Sequence, residues 1–79
     1  MAIIITTKSG STYTIRQETD GSIIIQKGLF CAKVVSVNEP IRVGSRLNFD
    51  CRRYSIYGDL ETTLSFLKST PITGIEVKI

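Results

Sequence analysis

Almost every apolar stretch of this chain is built from side chains branched at Cβ, and almost every stretch is stopped within eight residues or so by Gly, Pro, Asp or Asn. Twelve Ile, five Val and nine Thr supply about a third of the 79 residues, whereas Ala occurs only twice. Branched side chains lose rotamer freedom in a helix and pack well on a pleated surface, so this composition favours strands. A spacing near ten residues between turn signals, in a single domain of this length, points to a small barrel or sandwich. Six to seven short, mainly antiparallel strands are expected, either all-β or β-rich with one short helix. Closing the sheet also removes the edges that an Ile-rich chain cannot safely leave open.

The first strand is expected over Ala2 to Thr7. "KSGS" (8–11) turns the chain, with Gly10 free to take a positive φ. Residues 11–17 alternate, with Tyr13 and Ile15 on one face and Thr12, Thr14 and Arg16 on the other. Asp20-Gly21 marks a hairpin leading into "SIIIQK" (22–27), so residues 2–27 read as a three-stranded meander. "LFCAKVVSVN" (29–38) is apolar on both parities, which fits a strand buried on both sides or one whose faces are exchanged by a bulge. After Pro40 and a turn at Gly44, residues 46–52 alternate with Leu47, Phe49 and Cys51 inward. Residues 59–70 fit two structures: a short helix capped by Asp59 with Leu60, Leu64 and Leu67 on one face, or a strand. Pro71 is expected to end this segment. The last strand is expected over Thr73 to Ile79, with Ile75, Val77 and Ile79 inward and Glu76 and Lys78 outward.

A chain this short buries only about 60 to 65% of its unfolded surface, and its stability falls near 4 to 12 kcal/mol. Small domains often add a disulfide, a metal or a partner subunit. No metal or cofactor is expected, because the chain has no His and only two Cys, Cys31 and Cys51. The start "MAIIITTKSG" lacks the basic segment and long apolar run of a signal peptide, and no membrane span is expected. A cytoplasmic setting with reduced thiols follows; a Cys31–Cys51 disulfide is the alternative, but both Cys read more simply as small core residues.

No enzyme is expected. Without His the usual base of a nucleophilic site is missing, and the seven carboxylates are scattered, although an Asp50–Asp59 dyad assembled by the fold stays open. The net charge of +3 is concentrated. Between residues 42 and 53, Arg42, Arg46, Arg52 and Arg53 face Asp50 alone, while the rest of the chain holds six basic and six acidic residues. Arg46, Arg52, Arg53, Tyr54 and Tyr57 are therefore the candidate contact surface. Arg forks match phosphate or carboxylate, and Tyr rings stack or cover apolar ground. Three readings are open: solvated surface with a Tyr lid over the core, contact with an anionic ligand such as a nucleotide, and a protein-binding hot spot. Generic nucleic-acid coating is not expected. Three neutralised duplex phosphates would cost roughly 40-fold between 50 and 200 mM salt, an electrostatic contribution too small to hold DNA unaided.

Ile4 and Ile24 are the candidate oligomer interface. Each faces opposite to its Ile neighbours, and if the first and third strands were adjacent the two would form an outer apolar patch. That patch is either buried under residues 59–70 or pairs subunits in a homo-oligomer.

The chain's ends resemble those of small β-proteins from phages and prophages. "IIITTKSGSTYTI" at the start carries a "TT-x-SGS-x-Y" hairpin, and "STPITGIEVKI" at the close carries a "T/S-x-P-I/V-x-x-I" final strand. The two segments cover about 24 of the 79 residues. The resemblance implies a phage-type accessory protein that blocks or sequesters a component of a host defence system, a protein or a signalling nucleotide, in the host cytoplasm. It implies no functional residue. A nucleic-acid-binding module and an assembly protein acting through the Ile patch are the alternatives.

Overall fold

In the computed structural model, which describes residues 1–55 and 57–79, β1 (Ala2–Thr7) pairs antiparallel with β2 (Thr12–Gln17) across the turn at 8–11. β3 (Ile23–Lys27) continues the meander, with Gly21 at φ 90 in the second turn. The Asp20 carboxylate accepts the Ser22 amide proton at 2.9 Å. That bond and a second one to Ser22, helped by the charge of Lys33, hold the carboxyl below its usual range.

β4 (Phe30–Val37) is the segment that is apolar on both parities. Its register with β5 (Arg46–Arg53) slips between Val34 and Ser36: Val34 stands opposite Cys51, Ser36 opposite Asp50, and Val35 is the additional residue. The bulge thus exchanges faces partway along the strand. β6 (Ser65–Lys78) runs for 14 residues. Its first half pairs with β5 and its second half with β1, which closes a six-stranded antiparallel barrel in chain order.

The helix considered for 59–70 does not form. Leu60 bridges to Tyr54, Leu64 is exposed, and residues 65–70 belong to β6. Nor does Pro71 end the segment. It lies inside β6 where the register with β5 slips between Arg46 and Asn48, a place where the missing N–H costs no ladder bond. The Pro71 carbonyl accepts from the Lys8 amide at 2.8 Å, and the buried Ser69 hydroxyl accepts from the Leu47 amide at 2.9 Å. At the crossing from one neighbour to the other, the strand is therefore tied by the Pro71 carbonyl and the Ser69 hydroxyl.

Ile5, Ile15, Ile25, Leu47, Phe49 and Ile72 form the centre of the core, closed by Tyr13, Ala32 and Cys51. The inward trio expected on β5 is buried as a set. Ile75 and Val77 share the inner side of the sheet with their partners Ile5 and Ile3, yet both are exposed, as is Ile79.

Cys31 and Cys51 are unpaired thiols in different surroundings. Cys51 is buried, and desolvation pushes its thiol up against the pull of Arg53. Cys31 is not the core residue expected: it is half-buried, on the outer side of β4 beside Tyr54 and Ile24. A water-soluble maleimide should modify one thiol, Cys31, in the native protein and both in denaturant. Native mass spectrometry showing Cys51 labelled as fast as Cys31 would contradict this packing.

Candidate functional site

The structure disperses the five Arg and Tyr residues of the expected contact surface. Arg46 and Arg52 share the outer face of β5, six residues apart, which is about 20 Å along a strand. The Arg52 Nε donates to the Glu61 carbonyl at 2.7 Å, tying the strand to the following loop. Arg53 falls on the other side of the sheet, at the barrel rim, with its guanidinium 5.1 Å from the centre of the Phe30 ring. Tyr54 is half-buried; its amide donates to the Cys31 carbonyl at 2.9 Å. Tyr57 stands exposed in the loop beyond. Arg46, Arg52 and Tyr54 are on the outer side of the sheet, but Tyr54 borders the groove with Cys31 and Ile24 rather than the Arg pair.

The Ile pair is separated as well. β2 lies between β1 and β3, so the adjacency on which an Ile4–Ile24 patch depended is absent. Ile4 stands opposite Thr14 and Glu76, and Ile24 opposite Arg16 and Lys33. Ile24 is 3% exposed although it is outside the core cluster, and it borders a groove with Cys31, Tyr54, Ser55 and Gly58. The chain's own loop crosses this side of the barrel.

A different cluster occupies the outer face of β4, β5 and the first half of β6. Its rows follow from the register. Lys33 faces Arg52, Ser36 faces Asp50 and Asp50 faces Phe66, and Asn48 faces Lys68. Phe66 is 62% exposed and Leu64 60%, and the bulged Val35, on the far side of β5, is 53% exposed. Lys33, Val35, Arg52, Thr62 and Leu64 line a groove of about 530 Å³ on this face.

The charges here are unbalanced. Among the described residues the ion pairs are Arg16–Glu18 and Glu76–Lys78, both elsewhere, so Lys33, Arg46, Arg52 and Lys68 are not neutralised by one. Two acids stand against these four cations: Asp50, in the middle of the face, accepts from the Ser36 hydroxyl at 3.0 Å, and Glu39 accepts from the Asn48 side-chain amide at 3.2 Å. Among the described residues no hydrogen bond joins Asp50 to Asp59, and no group of three or more His, Cys, Asp or Glu could hold a metal.

Sequence reasoning reached the Arg residues of this face and missed its apolar centre. The signal was present in "LSFLKS" (64–69). Read as a strand, it sets Leu64, Phe66 and Lys68 on one side and Ser65, Leu67 and Ser69 on the other. The structure turns the second side inward: Leu67 packs against the core opposite Phe49, and the Ser69 hydroxyl accepts the Leu47 amide at the β5 register slip.

Comparison with protein-family models, with curated proteins and with solved structures finds no match. No described helix is long and apolar enough to cross a membrane.

Proposed function

We propose that the chain is a non-catalytic binding module that holds an acidic protein segment with apolar side chains against the outer face of β4, β5 and β6. One observation carries this reading: Val35, Leu64 and Phe66 are each more than half exposed on one face, Val35 and Leu64 in a shared groove, with Lys33, Arg52 and Lys68 around them and none of these cations in an ion pair among the described residues. Scattered single apolar residues are ordinary on a surface. An apolar centre with a charged rim is the anatomy of an interface. Phe66 is the anchor, and the cations steer and orient the partner. In the setting that the chain's ends imply, this activity is that of a phage-type protein occupying a surface of a host defence component.

Single-stranded nucleic acid suits the face less well. It offers one exposed aromatic ring, Phe66, where successive bases need several to stack on. Four neutralised phosphates on a single strand give a salt slope near −2.8, a loss of roughly 50-fold between 50 and 200 mM.

The test is an NMR titration with two probes, a peptide alternating Asp and Glu with Leu and Phe, and an oligodeoxythymidine. The peptide should shift amides of β4, β5 and residues 64–68, and Phe66→Ala should weaken it by about 30-fold or more. Peptide shifts elsewhere, or binding indifferent to Phe66→Ala, would sink the reading. Tighter binding of the oligonucleotide to this face would replace it with the nucleic-acid one.

A further inference from the structure

The second half of β6 has an open side. β5 pairs with β6 from Ser65 to Pro71, and the loop before β5 adds two bonds at Ile72, whose amide donates to the Ser45 carbonyl at 2.7 Å and whose carbonyl accepts from the Gly44 amide at 2.9 Å. From there to Lys78 the strand is paired with β1 on its other side. Among the described residues nothing pairs with this edge beyond Ile72. Its inner-side residues are also uncovered. Val77 shares a row with Ile3, Ile15 and Ile25, but it is 56% exposed while Ile25 is fully buried; Ile75, in the row of buried Ile5 and Tyr13, is 40% exposed. The opposing sheet covers the β2–β3 side of the barrel and leaves the β6 side bare.

An unpaired, apolar strand edge is a template for another strand. The residue order along this one selects which strand. When two copies of 75–79 are laid antiparallel about a two-fold axis at Val77, Val77 meets its own copy and Ile75 meets Ile79. On the other side of the sheet, Glu76 meets Lys78 and Lys78 meets Glu76. Apolar residues then lie opposite apolar ones on the inner side, and opposite charges lie opposite each other on the outer side. Moving the axis by one residue, to Glu76 or to Lys78, sets like charges against each other. Exposed edges usually carry like charges or Pro that repel a second copy; here the signs alternate, so repulsion guards only the wrong registers. Glu76 and Lys78 are 3.9 Å apart within one chain and more than half exposed, so both are free to re-pair across strands.

We infer that two copies of this chain associate through an antiparallel ladder between the free edges of β6, joining the two barrels into one continuous sheet. This is an isologous interface, in which each residue meets its own two-fold mate. It lies on a different part of the molecule from the face proposed for the acidic partner and does not depend on it.

Sedimentation equilibrium over a concentration series tests the inference at about physiological salt. The unaltered chain should approach twice its monomer mass as concentration rises. Glu76→Lys alone and Lys78→Glu alone should each weaken the dimer by about tenfold or more, because each replaces two opposite-charge pairs with like-charge pairs. The double variant Glu76→Lys/Lys78→Glu should restore it. Nonspecific charge effects predict a different pattern, since the first change raises net charge by two and the second lowers it by two. Monomer mass at every concentration, single variants that dimerise like the unaltered chain, or a double variant that stays weak would each overturn the inference.

Discussion

Phe49→Ala is expected to remove about 3 to 5 kcal/mol of folding stability. Phe49 is the largest fully buried side chain, central on β5, with Val37 opposite on one side and Leu67 on the other. Truncation takes away its transfer free energy and leaves a cavity that the barrel cannot close, because neighbouring strands are held at a fixed spacing by their ladders. A domain of this length has about 4 to 12 kcal/mol in total, so the variant loses a large fraction of its stability or does not fold. Urea denaturation should show the midpoint falling with the slope unchanged. Phe49→Leu keeps most of the volume and should cost under about 1.5 kcal/mol. Phe66→Ala, on the outer face, should stay within about 0.5 kcal/mol of the unaltered chain. A Phe49→Ala loss below about 1 kcal/mol would mean that this ring is not at the centre of the core.

The contrast between these two phenylalanines shows what the sequence reveals and what it hides. The hairpins of residues 2–27 were legible because local rules suffice there: glycines able to take positive φ mark the turns, and the alternation of Tyr13 and Ile15 sets the inner face. Leu47, Phe49 and Cys51 were legible for the same reason, and the apolar residues of both parities in β4 left two readings, of which the register shows the bulge. Phe66 was not legible, because "LSFLKS" offers apolar residues to both sides of a strand and the inner place goes to Leu67, opposite Phe49. Strand alternation alone sets Arg52 and Arg53 on opposite sides of a sheet, and the structure has them so. What alternation does not give is the register across three strands that brings Lys33, Arg52 and Phe66 to one face. Register between distant strands is set by bulges and by closure of the barrel, and neither leaves a local signature. The pattern at 75–79 gave the facing of Ile75 and Val77 but not whether anything lies over them, which depends on how far the opposing sheet extends.

Ser69→Ala should cost about 1 to 3 kcal/mol, out of proportion to the one oxygen removed. At the slip between Arg46 and Asn48 the β5–β6 ladder cannot supply an acceptor for the Leu47 amide, and the Ser69 hydroxyl supplies it at 2.9 Å while donating to the Thr70 carbonyl at 2.7 Å. Alanine fits the space but leaves a buried N–H without a partner, which carries the full desolvation penalty. The effect has a local signature that a general loss of stability does not. Hydrogen exchange at the Leu47 amide should accelerate more than exchange at Ile25, whose ladder on β3 is untouched, because the bond lost belongs to Leu47 alone. Equal acceleration at both amides would mean that the serine acts only through global stability. A Leu47 amide as protected in Ser69→Ala as in the unaltered chain would mean that another acceptor takes over, and that the long crossing strand does not depend on this hydroxyl.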